Sequence, residues 1–318
     1  MKKNGKWAAY IIILFILLLV VAASYIVLAL PDVGKPEDIT VKITPARIAR
    51  GAYLANHVTI CMDCHSQRDW SKPIGDIAAG KLGAGGDDFD NSVGIPGDIY
   101  IPNITPYKLK YWTDGEILRA ITTGERKDGS AIYPFMPWPG FSHMSREDLY
   151  CIIAYLRSLK PIKTANYPKP RLDFPQNILE HLLPAKAVLG QMPPVNDSIA
   201  YGKYVIAAAN CSLCHSQKNN GKIIAGMEYA GGIKFSIGKK IFTSANLTPD
   251  KNTGIGNWTE DAFVQRFKSA ADTSGKENAN GVSPMPWYDY GGMSATDLKA
   301  IYKYLRSIKP VNNKVINL

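Results

Sequence analysis

Cysteine and histidine are scarce in this chain, with five of each among 318 residues. That excludes a fold stapled by several disulfides, and it leaves few side chains for a metal site built from protein donors alone. No run of one charge sign exceeds two residues, so nothing indicates a nucleic-acid-binding arm. The formal net charge of +10 reads as ordinary solubility, although it also suits an acidic partner or an anionic surface. After residue 30 there is no second apolar run of membrane-spanning length. With 46% hydrophobic residues, the length allows two domains of ordinary size, each with a core, plus an anchor.

The anchor comes first. Lys2, Lys3 and Lys6 precede an uncharged stretch of 24 residues from Trp7 to Leu30, enough to span a bilayer core of about 30 Å. A cleaved signal peptide has a shorter apolar region followed by a small-residue cleavage site; here Ala22-Ala23 lies inside the run and Pro31 ends it. We therefore expect an uncleaved single-pass anchor in the inner membrane. The lysines before the span hold the N-terminus in the cytoplasm and put everything after Leu30 on the outer, periplasmic face.

The rest of the chain repeats itself. Cys61, Cys64 and His65 align with Cys211, Cys214 and His215, and Asn103-Ile104-Thr105-Pro106 aligns with Asn246-Leu247-Thr248-Pro249. Trp112-Thr113 then matches Trp258-Thr259, Met136-Pro137-Trp138 matches Met285-Pro286-Trp287, and Tyr155-Leu156-Arg157-Ser158 matches Tyr304-Leu305-Arg306-Ser307. The offset stays between 143 and 150 residues through five motifs in one order, which chance does not maintain. Between the copies, six prolines from Pro168 to Pro194 mark a linker, and only Gln176 to Leu183 can form a short helix there. Apolar linker residues such as Phe174, Leu182 and Leu183 predict that it lies across the domains. The expected organisation is a mostly α chain: an anchor at 1–30, a first domain at 31–161, a Pro-rich linker at 162–197 and a second domain at 198–318.

Within each copy three helices are expected. The one before the first Cys carries Gly51 and Tyr53, or Gly202 and Tyr204, and the missing Gly side chain lets the last helix cross closely. The last helix opens at Ser145 or Ser294 with Asp148 or Asp297 three residues on, resembling a capping box, and stops at Pro161 or Pro310. A middle helix follows Thr113 or Thr259, with Trp112 and Trp258 placed to staple onto Ile117 and Phe263. Gly-rich stretches such as Gly80 to Asn103 are expected to be loops.

The chemistry lies in Cys61-Met62-Asp63-Cys64-His65 and Cys211-Ser212-Leu213-Cys214-His215. C-x-x-C-H is the attachment pattern of c-type haem: two thiols about one helical turn apart add to the vinyl groups, and the adjacent His reaches the iron. A redox dithiol needs a βαβ setting that neither copy has, and a zinc site needs further ligands nearby. For the sixth iron position Met136 and Met285 are the candidates. They lie 75 and 74 residues after Cys61 and Cys211, each bounded by prolines that fix the backbone. Met144 and Met293 directly precede the capping serines and read as core residues. His143 is matched by Gly292, Cys151 is matched by Ala300, and His57 and His181 have no counterparts, so all four are set aside as structural or surface residues. Tyr53, Trp112, Tyr155 and their counterparts are expected to pack on haem or between helices.

These motifs resemble those of the cytochrome c subunit family found with membrane-bound alcohol and gluconate dehydrogenases, and of related dihaem cytochromes. The resemblance rests on Cys64-His65-Ser66-Gln67-Arg68-Asp69, Asn246 through Asp250 with Gly254-Ile255-Gly256 and Trp258, both Met-Pro-Trp segments and the closing Tyr-Leu-Arg-Ser helices. It covers nearly everything after the anchor. It implies two tandem class I cytochrome c domains with His and Met iron ligands, passing electrons from a dehydrogenase towards a quinone or terminal oxidase. The chain departs from that family in having two haem motifs where three are common, and an anchor at its N-terminus. The leading expectation is a carrier of single electrons between a donor and an acceptor protein at the lipid bilayer. The rival is a dihaem enzyme, a peroxidase or a thiosulfate dehydrogenase; a purely structural or haem-storing role would not need two sixth ligands set in matching loops.

Overall fold

In the computed structural model of the chain, residues 2–69, 71, 76–86, 88–219, 221–237, 240–272 and 283–315 are described. In chain order the helices are α1 (Lys2–Ala29), α2 (Pro45–Tyr53), α3 (Cys61–Cys64), α4 (Pro106–Leu109), α5 (Asp114–Thr123), α6 (Trp138–Phe141), α7 (Arg146–Ser158) and α8 (Gln176–Leu179). They continue with α9 (Ser198–Ala208), α10 (Cys211–His215), α11 (Glu260–Asp272), α12 (Trp287–Gly291) and α13 (Ala295–Ser307). A π-helical turn, Leu54–Val58, joins α2 to the first Cys motif. Helix α1 is long and apolar enough to cross a membrane, and its side chains from Trp7 to Leu28 are almost all exposed. The first sequence repeat contributes α2 to α7 and the second α9 to α13; of the second, residues 220, 238–239, 273–282 and 316–318 lie outside the described residues.

The crossing expected at the paired glycines is present in both copies. A Cβ on Gly51 would overlap the Cys151 carbonyl on α7, and one on Gly202 would overlap the Ala300 carbonyl on α13. Each last helix starts as its serine predicts: Ser145 Oγ accepts from Asp148 N at 3.2 Å and Ser294 Oγ from Asp297 N at 3.0 Å. The reciprocal half of the capping box is missing, because both carboxylates are engaged elsewhere. The full box forms instead on α5, between Thr113 and Glu116. Arg157, near the end of α7, donates to the carbonyls of Leu109 and Trp112 and to Asp114, and Arg306 on α13 donates to Gly256 O. The closing Arg of each repeat thus ties the last helix to the segment before the middle helix.

Gly80 to Asn103 is not simply a loop. Asp88–Phe89 pairs antiparallel with Gly97–Tyr100, which pairs in turn with Arg171–Leu172 from the linker. The period-2 pattern was present in Ile99 and Ile101 alternating with Asp98 and Tyr100, but the third strand is distant in sequence. Gly97, at φ +117°, allows the approach, since a Cβ there would overlap the Arg171 carbonyl. The linker lies across the body through backbone hydrogen bonds, Ala185 N on Thr123 O and Gly190 N on Met144 O, each at 3.1 Å, and not through Phe174, Leu182 and Leu183, which stay exposed.

One continuous apolar core runs through both repeats, from Leu54, Val58 and Leu149 to Val205, Ile206 and Leu298. Two reciprocal contacts join them. The Tyr204 hydroxyl donates to Asp148 at 2.6 Å and accepts from Ser145 N at 3.1 Å. The Tyr53 hydroxyl donates to Asp297 and accepts from Ser294 N at 3.0 Å. Each repeat's first-helix tyrosine therefore completes the cap of the other repeat's last helix. Arg50 also grips Asp148, and Tyr201 donates to Asp297 at 2.9 Å. This is why neither carboxylate closes its own capping box.

Candidate functional site

Each C-x-x-C-H segment begins at a residue in left-handed conformation, Ile60 at φ 44° or Asn210 at φ 54°, which turns the chain sharply into the short helix. Asn tolerates this backbone; Ile is strained by it. All four motif cysteines are half-buried, and none is paired in a disulfide. Burial raises their pKa, for Cys64 and Cys211 to about 12, so unattached they are neutral. Burial also lowers the pKa of His65 and His215, which keeps the rings neutral and able to act as ligands.

Both histidines are oriented in one way. His65 Nδ1 donates to Pro102 O at 2.8 Å, and His215 Nδ1 to Ala245 O at 2.7 Å, leaving Nε2 to ligate. The accepting residues directly precede the two Asn-x-Thr-Pro motifs, which explains those motifs. Asn103 Oδ1 accepts from Thr105 N and Oγ1 while its Nδ2 donates to Ile162 O at 2.8 Å. Asn246 repeats this with Thr248 and Val311 O, also 2.8 Å. The Asn thus pins the carbonyl that orients the histidine to the extended segment that follows the last helix. Sequence reasoning registered the repetition of these asparagines but not their task.

Met136 and Met285 are partly buried against the core. Each Met carbonyl accepts from the Trp two residues on, Trp138 N at 2.7 Å and Trp287 N at 2.8 Å, so the two loops are folded alike. Cys64 and Phe135, the neighbour of Met136, pack on one apolar wall formed by Ile95, Ile99, Ile101 and Leu172. Cys64 of the attachment motif and Phe135 of the Met loop thus share one apolar surface. No direct contact joins His65 to Met136 or His215 to Met285 among the described contacts. Met144 and Met293 are 1% exposed and belong to the core, as read from the sequence. Each repeat offers two thiols and an imidazole whose Nδ1 is already engaged, the donor set that covalent haem attachment calls for.

Of the residues set aside earlier, Cys151 is buried and its thiol is pushed up to about 11 by burial, and His143 is exposed. His57 and His181 are different. His181 Nδ1 bonds Leu30 O at 2.9 Å, and His57 Nδ1 bonds Asp289 O at 3.0 Å with its ring filling the space above Gly292. Asp289 and Tyr290 on α12 were not singled out in the sequence, and no spacing signals them. Tyr290 is 8% exposed, donates to Ala209 O at 2.7 Å, and lies within electrostatic reach of Cys64 in one motif and of Cys211 and Cys214 in the other. Helix α12 therefore lies near both attachment motifs. Burial pushes the half-buried Asp289 carboxyl up to about 6, against the opposing pull of Arg68 and His57.

Residues 199–309 match the family model described as cytochrome c. The cytochrome c subunit of alcohol dehydrogenase (quinone) from Gluconacetobacter polyoxogenes is 30% identical over 282 residues, covering 84% of this chain and 57% of that subunit. The fructose dehydrogenase cytochrome subunit of Gluconobacter japonicus is 30% identical over 277 residues, covering 82% and 52%. A dihaem c-type cytochrome of Cereibacter sphaeroides is 24% identical over 263 residues, covering 79% and 82%. The chain thus spans little more than half the length of the dehydrogenase subunits it matches. A cytochrome c domain implies covalently bound haem c. The chain carries a cytochrome c domain and is a homologue of the cytochrome c subunits of alcohol, fructose and gluconate dehydrogenases and of a dihaem cytochrome c.

Proposed function

We propose that the protein is a membrane-anchored dihaem cytochrome c that passes single electrons between membrane-associated redox proteins. Its domains are 31–161 and 198–318, two tandem class I cytochrome c units joined by the 162–197 linker. Cys61 and Cys64 hold one haem and Cys211 and Cys214 the other, with His65 and Met136, and His215 and Met285, as axial ligands. Bound haem c supplies a one-electron iron couple. The observation that carries the reading is the equivalent orientation of both histidines by the carbonyl before an Asn-x-Thr-Pro motif. A dehydrogenase or quinol is the donor, and a terminal oxidase or other acceptor takes the electrons. Helix α1 tethers the haem units to the outer face of the inner membrane and so raises their effective concentration at these partners.

Protein purified from membranes is expected to keep its haem on a denaturing gel and to hold two haems per polypeptide by quantified haem absorbance. One haem per chain would refute the dihaem reading, and turnover of peroxide or thiosulfate by the purified protein would replace the carrier with an enzyme.

Asp289 should make the redox behaviour depend on pH. Its ionised carboxylate places negative charge near Cys64, which favours ferric over ferrous iron, and the raised pKa means that this charge is lost on acidification. The midpoint potential of the first-repeat haem is expected to fall as pH rises across about 5 to 7, and Asp289→Asn to flatten that slope. Redox titration at a series of pH values checks it; an unchanged slope in the variant assigns the dependence to another group.

A further inference from the structure

The linker segment 174–183 carries exposed apolar side chains beside the end of α1. Helix α8 and the 3-10 turn after it (Glu180–Leu182) are packed against the end of α1, where His181 Nδ1 bonds the Leu30 carbonyl at 2.9 Å. Around that contact Phe174 is 79% exposed, Leu179 41%, Leu182 50% and Leu183 38%. Single exposed apolar side chains are ordinary on a protein surface, but four within ten residues form a patch that needs an occupant. The patch lies at the foot of α1, where a spanning helix leaves the hydrocarbon and enters the headgroup layer. Arg171 and Lys186, both exposed, flank it with positive charge, and burial raises the pKa of Glu180, the acidic group on the turn.

We propose that segment 174–183 lies in the bilayer interface beside α1 and forms a second lipid contact that fixes how the haem-bearing body sits on the membrane. The inference rests on the reading of α1 as a membrane span. A lone helical tether leaves the body free to pivot; here the patch is fastened on both flanks. On one side Arg171–Leu172 is a strand of the body's sheet and Asp173 N bonds Pro96 O at 2.9 Å; on the other Ala185 N bonds Thr123 O. Seating Phe174, Leu179, Leu182 and Leu183 among acyl chains removes their surface from water and holds one face of the body against the membrane.

The full-length holoprotein in nanodiscs of phosphatidylcholine and phosphatidylglycerol, carrying a tracer phospholipid with a diazirine high on its acyl chain, tests this. After illumination, peptide mapping is expected to find label both in α1 and in the peptide containing 174–183. The Phe174→Ser/Leu182→Ser double variant, whose changes lie at exposed positions, should lose on the order of fivefold of the label in that peptide and keep it in α1. Label confined to α1 overturns the proposal and turns the patch over to a protein partner. Absence of label from α1 as well overturns the span reading and the proposal with it.

Discussion

Met136→Ala and Met285→Ala are each expected to abolish about half of the sulfur-to-iron charge-transfer absorption of the oxidised protein. The physical basis is the local backbone. Prolines on both sides and the turn from each Met carbonyl to the following Trp amide hold a flexible thioether in one place. Removing the sulfur withdraws a ligand that favours ferrous iron. The altered haem should drop in potential by on the order of a hundred millivolts or more, within the ~0.8 V range that axial ligands command. It should also open to cyanide or carbon monoxide, which the intact protein should refuse. Met144→Leu and Met293→Leu serve as controls, because these buried side chains fill the core and their loss should cost stability while leaving the band intact. If the band followed Met144 instead, or if the unaltered protein bound cyanide readily at one haem, the ligand assignment and the carrier reading would both fall.

The second large effect is expected at the helix crossings. Gly51→Ala and Gly202→Ala each add a methyl group where the facing carbonyl, Cys151 O or Ala300 O, leaves no room. The obstacle is backbone in both cases, so no rotamer change relieves it and the two helices must separate. Overpacking of this kind costs about 3 kcal/mol, which lowers the melting temperature by roughly 6–12 °C for units of this size. The separation also disturbs the interface, since Tyr53 lies two residues beyond Gly51 and Tyr204 two beyond Gly202. Lys203→Ala, on the exposed face of the same helix, should change stability by less than about 0.5 kcal/mol. Thermal unfolding of the holoprotein followed by far-UV circular dichroism distinguishes the three variants; equal melting temperatures for Gly202→Ala and Lys203→Ala would mean that the helices relax at no cost.

What the sequence determined by itself is everything that follows local rules. The helix starts at Ser145 and Ser294, the spanning length of α1, the proline-broken linker, the haem signature and the close helix crossings all follow from spacing, side-chain shape and backbone preference within one repeat. What only the tertiary structure decided involves partners far apart in the chain. Tyr53 and Asp297 are separated by 244 residues, His57 and the Asp289 carbonyl by 232, and His181 and Leu30 by 151. A repeat analysed alone offers both carboxylates to their own capping boxes, and only the meeting of the two repeats diverts them to tyrosines and Arg50. The same holds for Gly97–Tyr100, whose alternation was present but whose linker strand was not foreseeable. Nothing within a few residues of these positions records which distant group will arrive, because a hydrogen bond of this kind depends on where the core brings two surfaces together and not on the local propensity of either segment.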